Sequence, residues 1–235
     1  MKDLIDVRDL HVRYGSFEAV RGVSFTLAAG EILGIVGESG SGKSTIARAL
    51  IGLEPRSAGT VRVGAASIQM IFQDAVGSLN PRMTVRQTLA EALRHGRRGG
   101  ASRRQRTPEE LLDLVGLSTA TLAQYPREMS GGQCQRVSIA RALACDPQLL
   151  IADEPVSALD VSVQARVLNL LRDLRRELGL AILLVAHDLA VVKNVCDRIC
   201  VMEKGVFVDA GEPDDVFERP TSDYTRRLLA AVPRL

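Results

Sequence analysis

Apolar and polar residues alternate over residues 4–14, a period of two that predicts a half-buried strand. Gly15-Ser16 turns the chain, and residues 19–27 predict a second strand. The turn Ala28-Ala29-Gly30-Glu31 leads into residues 32–36, a short unbroken apolar run that reads as a buried strand. A helical stretch over 45–53, a loop at 55–59 and short strands at 60–63 and 68–72 follow. From 77 to about 146 the spacing becomes mostly helical, over 84–93, over 108–115 with Pro108 at a helix start, and from Ser130-Gly131-Gly132-Gln133 to about 145. The last third alternates again. It holds a strand at 149–152, an amphipathic helix at 161–178 and a strand at 181–186. A hairpin of 198–202 and 206–210 around Lys204-Gly205 comes next, then helical pieces at 213–218 and 224–231. Strands alternating with helices predict an α/β fold with a mainly parallel sheet flanked by helices. Residues 1–235 read as one domain, with a core of 1–75 and 147–235 and an inserted helical part at about 76–146.

Composition narrows the reading only slightly. A formal charge of +2 over 235 residues does not mark a nucleic-acid binder. The basic run at 94–106 contains glycine and no aromatic residue, so it reads as a mobile, solvated loop rather than a stacking surface. Four cysteines, Cys134, Cys145, Cys196 and Cys200, form no Cys-x-x-Cys pair and read as small core or surface residues in a reducing compartment. The first six residues carry no signal-peptide apolar region, and the longest apolar run, 180–186, is too short to span a bilayer. The expectation is a soluble, cytoplasmic protein whose membrane role, if it has one, needs a partner.

The chemistry starts at Gly37-Glu38-Ser39-Gly40-Ser41-Gly42-Lys43-Ser44-Thr45, a Gly-x4-Gly-Lys-Ser/Thr pattern between a strand and a helix. Glycines let the backbone approach phosphate and turn its N–H groups inward, and the new helix end adds positive potential there. Lys43 is expected to reach the β- and γ-phosphates of a nucleotide, and the Ser44 hydroxyl to ligate Mg²⁺. Asp153 and Glu154 end the strand at 149–152, at the rim where α/β sheets bind ligands. Asp153 is the expected Mg²⁺ holder, and Glu154 the general base for an attacking water. Two further strand ends carry His187, a candidate γ-phosphate sensor, and Gln73, an amide able to bridge metal and water. Each has a bland alternative taken alone: a Gly/Ser turn, a capping Asp-Glu pair, a structural histidine. Their joint occurrence favours the phosphate site.

These residues resemble the ATP-binding subunit of ABC transporters over essentially the whole chain. Residues 37–45 look like its Walker A loop and 149–154 like Walker B with the catalytic glutamate. Gln73 matches the Q-loop, and Ser130-Gly131-Gly132-Gln133 matches the signature that separates this family from other phosphate-loop proteins. Ser157-Ala158-Leu159-Asp160 is similar to the D-loop, His187 to the switch histidine, and Tyr14 to the aromatic ring placed against adenine.

The resemblance implies a P-loop NTPase fold with an N-terminal antiparallel β subdomain and an inserted helical subdomain. It implies ATP hydrolysis with Mg²⁺ held by Ser44, Gln73 and Asp153. It also implies a second ATP-binding subunit, identical or related, whose nucleotide is covered by residues 130–133 and Asp160. Transmembrane permease subunits and, indirectly, an extracytoplasmic binding protein are the other implied partners, with no nucleic acid. The implied location is peripheral, on the cytoplasmic face of the inner membrane. Phe72-Gln73-Asp74, Ser78-Leu79-Asn80-Pro81-Arg82-Met83-Thr84-Val85, Tyr125-Pro126-Arg127-Glu128-Met129-Ser130 and Tyr224-Thr225-Arg226-Arg227-Leu228-Leu229 are similar to the peptide/nickel importer branch. Met129 replaces the commoner leucine before the signature, and residues 59–68 are shorter than the family norm. The chain stops soon after Leu229, without the cysteine-bearing tail of many peptide-type subunits, which leaves nickel or a metal chelate open as cargo beside peptides. The competing reading is a non-transport ABC ATPase in a DNA, ribosome or multi-enzyme complex.

Overall fold

The computed structural model describes residues 3–97, 106–157 and 159–231. In chain order the strands are β1 (Asp3–Tyr14), β2 (Phe17–Ala28), β3 (Ile32–Val36), β4 (Ala58–Val63), β5 (Ile68–Ile71), β6 (Leu149–Asp153), β7 (Ala181–Ala186), β8 (Arg198–Glu203) and β9 (Val206–Gly211). The helices are α1 (Lys43–Leu50), α2 (Val85–Arg97), α3 (Pro108–Leu114), α4 (Gly131–Leu143), α5 (Val161–Leu178), α6 (Leu189–Lys193), α7 (Pro213–Glu218) and α8 (Asp223–Ala231). Among the described residues the strands form two sheets, a three-stranded one ordered β2-β1-β4 and a six-stranded one ordered β5-β6-β7-β3-β8-β9. The first is antiparallel, whereas in the second only the β8–β9 pairing is antiparallel.

The apolar runs explain the layering. Successive side chains of a strand point to opposite faces. Ile32 and Val36 of β3 join one core with the helices, while Leu33 and Ile35 join the other, against α1 and the antiparallel sheet. Strand β7 divides likewise, with Ile182 and Leu184 on the first side and Leu183 and Val185 on the second. A strand buried on both faces has no polar face to show, so its sequence reads as continuous rather than alternating. Strand β1 covers the core with one face, and alternation survives there.

Sheet order positions the chemistry. Strands β5, β6, β7 and β3 are parallel neighbours, so residues just past their carboxyl ends fall in a row. The loops that begin there carry Gln73, Asp153-Glu154, His187 and the phosphate loop. The helices between β5 and β6 pack as a unit, α4 against α2 and α3, and α4 also meets α5 beyond β6.

Two readings need correction, and one helix went unread. The helix after the phosphate loop starts at Lys43, inside the motif, because the glycines form the turn and leave the first free N–H groups at the motif's end. The short helix α6 carries no periodic signal in five residues. The basic run is not one solvated loop: residues 94–97 are the last turn of α2, 98–105 lie outside the described residues, and Arg106 is only 7% exposed. Its Nη1 donates to Asp146 Oδ1 at 3.1 Å and to the Leu143 carbonyl at 3.4 Å, so a buried cation is matched rather than solvated. Of the cysteines, Cys134, Cys196 and Cys200 are buried and all four are unbridged, and burial pushes the Cys200 thiol up to about 11. No helix among the described residues is long and apolar enough to cross a membrane.

Candidate active site

The loop after β3 is forced by close approach. A Cβ on Gly37 would lie 2.1 Å from the Met202 carbonyl oxygen, and one on Gly42 2.4 Å from that of Ala19, so neither position accepts a side chain. Gly42 sits at φ 109 and starts α1. Two outside contacts hold the loop: Gly205 N–H donates to the Ser41 carbonyl at 2.9 Å, and Glu38 N–H donates to the Tyr224 hydroxyl at 2.9 Å. Lys43 is 3% exposed, and its Nζ donates to the carbonyls of Gly37 at 2.7 Å and Glu38 at 2.8 Å. Burial pulls its pKa down, and the charges of Glu154, Asp153 and Glu38 oppose that pull.

The Ser44 hydroxyl donates to Asp153 Oδ1 at 2.7 Å. Asp153 is 3% exposed, and burial pushes its carboxyl up despite that hydrogen bond. A buried carboxylate beside a hydroxyl suits a hard cation, which would relieve the desolvation and take both oxygens as ligands. Among the described residues no three His, Cys, Asp or Glu side chains cluster to hold a metal. Mg²⁺ takes one or two protein oxygens and completes its shell with phosphates and water.

Glu154 is held in an unusual way. Its φ is 48, left-handed, directly before Pro155, where that backbone is disfavoured. Its N–H is tied to the Val185 carbonyl at 3.0 Å, which fixes the turn. Gln73 Nε2 donates to Glu154 Oε2 at 2.8 Å, and His187 Nδ1 lies 3.9 Å from the same oxygen. Such strain persists where the surroundings over-determine it, commonly at functional sites.

Lys43, Ser44, Gln73, Glu154, His187 and Tyr14 all border one cavity of about 510 Å³, with Ser39, Gly40, Gly42 and Thr45 along its floor. Ser41, 6% exposed, lies within the loop beneath it. A roomier cavity of about 660 Å³ lies between Arg82, Arg94 and Arg106, and its described lining residues include no carboxylate or histidine. Tyr14 is 42% exposed, and Phe17 beside it is 62% exposed. Open aromatic faces at the mouth suit a purine, and sequence reasoning missed Phe17.

Ser130, Gly131, Gly132, Gln133 and Asp160 do not line this cavity. Ser130 caps α4 in a reciprocal box: its Oγ accepts from Gln133 N–H at 3.3 Å, and its own N–H donates to Gln133 Oε1 at 2.9 Å. Ser130 and Gly131 are exposed, as is Asp160 at the start of α5, and Ala158 lies outside the described residues.

Tyr224 enters the sequence reading only within a branch motif, and its hold on the loop was missed, since nothing local ties a C-terminal helix to a loop 186 residues earlier. Tyr224→Phe removes the acceptor of Glu38 N–H. Leaving that donor unmet costs about 1 kcal/mol, so the dissociation constant for nucleoside triphosphate is expected to rise about fivefold. Equilibrium titration with a fluorescent nucleotide measures it, and unchanged affinity would remove Tyr224 from the loop's support.

A family model described as ABC transporter matches residues 20–157. The oligopeptide transport ATP-binding protein OppF of Lactococcus lactis subsp. lactis (strain IL1403) is 43% identical over 261 residues, covering 100% of this chain and 82% of that protein. The protein of the same description in Escherichia coli (strain K12) is 46% identical over 262 residues, covering 99% and 78%. Among solved structures, a dimeric post-hydrolysis state of the ATP-binding cassette MJ0796 bound to ADP and Pi superimposes with a TM-score of 0.75 at 26% identity, covering 89% of this chain and 98% of that one.

Proposed function

This chain belongs to the ABC transporter family, and from that premise we propose that it is the ATP-hydrolysing, energy-coupling subunit of an importer whose cargo is oligopeptide. Binding and hydrolysis of ATP follow from the family. The peptide cargo rests on the relatives, both of which are oligopeptide transport proteins; neither favours the nickel or metal-chelate cargo that the sequence left open. Nor do they favour a DNA, ribosome or multi-enzyme role.

The roles we assign follow the geometry. Lys43 and the N–H groups of residues 39–45 hold the β- and γ-phosphates. Tyr14, with Phe17, faces the base. Ser44, Asp153 and the Gln73 amide oxygen would hold Mg²⁺, which when bound neutralises phosphate charge. Glu154 takes the proton of the attacking water, and its placement by Gln73 and the Val185 carbonyl supports that role. His187 stands across from it, able to donate toward the γ-phosphate.

The observation that carries the two-subunit form is the exposed Ser130-Gly131 edge. It is a helix start at which the capping box satisfies the Ser130 and Gln133 N–H groups and leaves those of Gly131 and Gly132 to face outward, and it does not reach this chain's own cavity. Val161, an apolar side chain 81% exposed beside Asp160, supports a partner on that face. In the proposal residues 130–133 and Asp160 cover the nucleotide of a second ATP-binding subunit, identical or related. Hydrolysis removes charge from that junction and lets it open. Permease subunits convert the motion into transport, with an extracytoplasmic binding protein delivering the peptide, and this chain sits peripherally on the cytoplasmic face. Affinity purification of the chain from membranes is the test. It should bring down two multi-spanning proteins whose vesicle-reconstituted complex hydrolyses ATP faster when peptide is supplied, whereas retrieval of a nucleic-acid complex would overturn the reading.

A further inference from the structure

The catalytic glutamate and the exposed serine–glycine edge are joined by a continuous set of contacts. Gln73 holds Glu154 Oε2 at 2.8 Å. The next residues tie themselves into a compact turn. Asp74 Oδ1 accepts from Gly77 N–H at 2.8 Å, the Asp74 carbonyl accepts from Ser78 N–H at 3.0 Å, and Ser78 Oγ donates to the Ala75 carbonyl at 2.8 Å. A Cβ on Gly77 would lie 2.2 Å from Asp74 Oδ2, so a side chain there would displace the Asp74 carboxylate from its bond to the Gly77 N–H. The turn from Asp74 to Ser78, directly after Gln73, is therefore braced within itself.

Its far end is fastened to α4. Arg141 Nη1 donates to the Ser78 carbonyl at 2.5 Å, Nη2 lies 3.3 Å from Ser78 Oγ, and the buried Ser138 hydroxyl lies 3.3 Å from the same oxygen. Arg141 is half-buried, and Glu91 on α2 offsets part of the cost of burying its charge. A fork-shaped cation aimed at one carbonyl and one hydroxyl is a directional fastening that a lysine does not reproduce. Arg141 lies in the last turn of α4, whose first turn is capped by Ser130. Arg141 is eleven positions along the chain from Ser130, a stiff rod of about 17 Å.

We propose that Arg141 is a positioning residue that links the two nucleotides of the assembled pair. Through Ser78 it makes the placement of Gln73 on this chain's Glu154 and the placement of the Ser130-Gly131 edge offered to the partner's nucleotide one rigid-body variable. The inference deepens the two-subunit reading above and rests on it. Without the fastening, each chain binds ATP as before, but the two edges no longer arrive in register.

The test uses the full chain and four variants: Arg141→Lys, Ser78→Ala, Arg136→Lys and Glu154→Gln. Arg136 is on the same helix, but its Nη1 reaches the Val115 and Gly116 carbonyls and nothing near Gln73, so it controls for general loosening of α4. Affinity is read with trinitrophenyl-ATP, and turnover as kcat, KM and Hill coefficient. Arg141→Lys is expected to lower kcat about tenfold and to bring the Hill coefficient from near 2 in the parent toward 1, with affinity changed less than twofold. Ser78→Ala, which keeps the carbonyl contact, should fall between it and the parent, and Arg136→Lys should match the parent. Unchanged kcat and Hill coefficient in Arg141→Lys would overturn the linkage. So would equal losses in Arg136→Lys, or a loss of affinity that accounts for the loss of rate. If Glu154→Gln forms no ATP-dependent dimer and the parent's Hill coefficient is 1, the two-subunit reading itself fails, and the inference with it.

Discussion

Lys43→Ala is expected to lower ATP turnover about a thousandfold or more, the scale on which a preorganised charge aimed at the transferring phosphate acts. The side chain is buried beneath the loop, with its ammonium donating to two carbonyls of that loop. Those carbonyls are a resting place for a charge that phosphate oxygens bind more strongly. Around it stand Glu154, Asp153 and Glu38, each favouring its charged form. Removing the ammonium therefore removes more than one contact. The carboxylates lose their local counter-charge and face a triphosphate that repels them. Affinity should fall along with rate, because the lost interaction serves both the bound nucleotide and its transition state. Steady-state phosphate release, with a nucleotide titration beside it, measures both quantities, and parental turnover in Lys43→Ala would end the phosphate-loop assignment.

How far the chain could be read ahead of its structure depended on the range of each signal. The double-sided burial of β3 and β7 is written in unbroken apolar runs, and the phosphate loop in glycines that two foreign carbonyls leave no room to replace. Asp153 and Glu154 were legible because two acids ending an apolar strand are costly to bury unless a cation stands near them. What stayed hidden was set by tertiary contacts. The hold of Gln73 on Glu154 spans 81 residues, and that of Tyr224 on the loop spans 186. Arg106 lay in a run that local composition marks as solvated, yet Asp146, 40 residues on, makes its burial tolerable. The left-handed turn at Glu154 runs against the local preference before a proline, so nothing short-range announces it.

Glu154→Gln separates chemistry from closure, and the geometry fixes the expected result. Glutamine has nearly the shape of glutamate, and its amide oxygen still accepts the hydrogen bond that Gln73 donates to Oε2. The backbone hold of Val185 on residue 154 is untouched, so the turn should keep its form. What disappears is the proton acceptor for the attacking water, a contribution of about 10²–10⁴-fold in rate. Nucleotide binding should remain, since Lys43, the loop N–H groups and the Ser44–Asp153 pair are unaffected. ATP then binds and is not consumed, and the junction it bridges with the second subunit's serine–glycine edge has no route to reopen. The variant is expected to elute as a dimer in ATP and as a monomer in ADP on a sizing column, with turnover reduced at least a hundredfold. Substantial residual turnover would give the base to another group. A monomer that retains bound ATP would deny that the γ-phosphate joins two chains, and Ser130-Gly131-Gly132-Gln133 would then need a role within its own subunit.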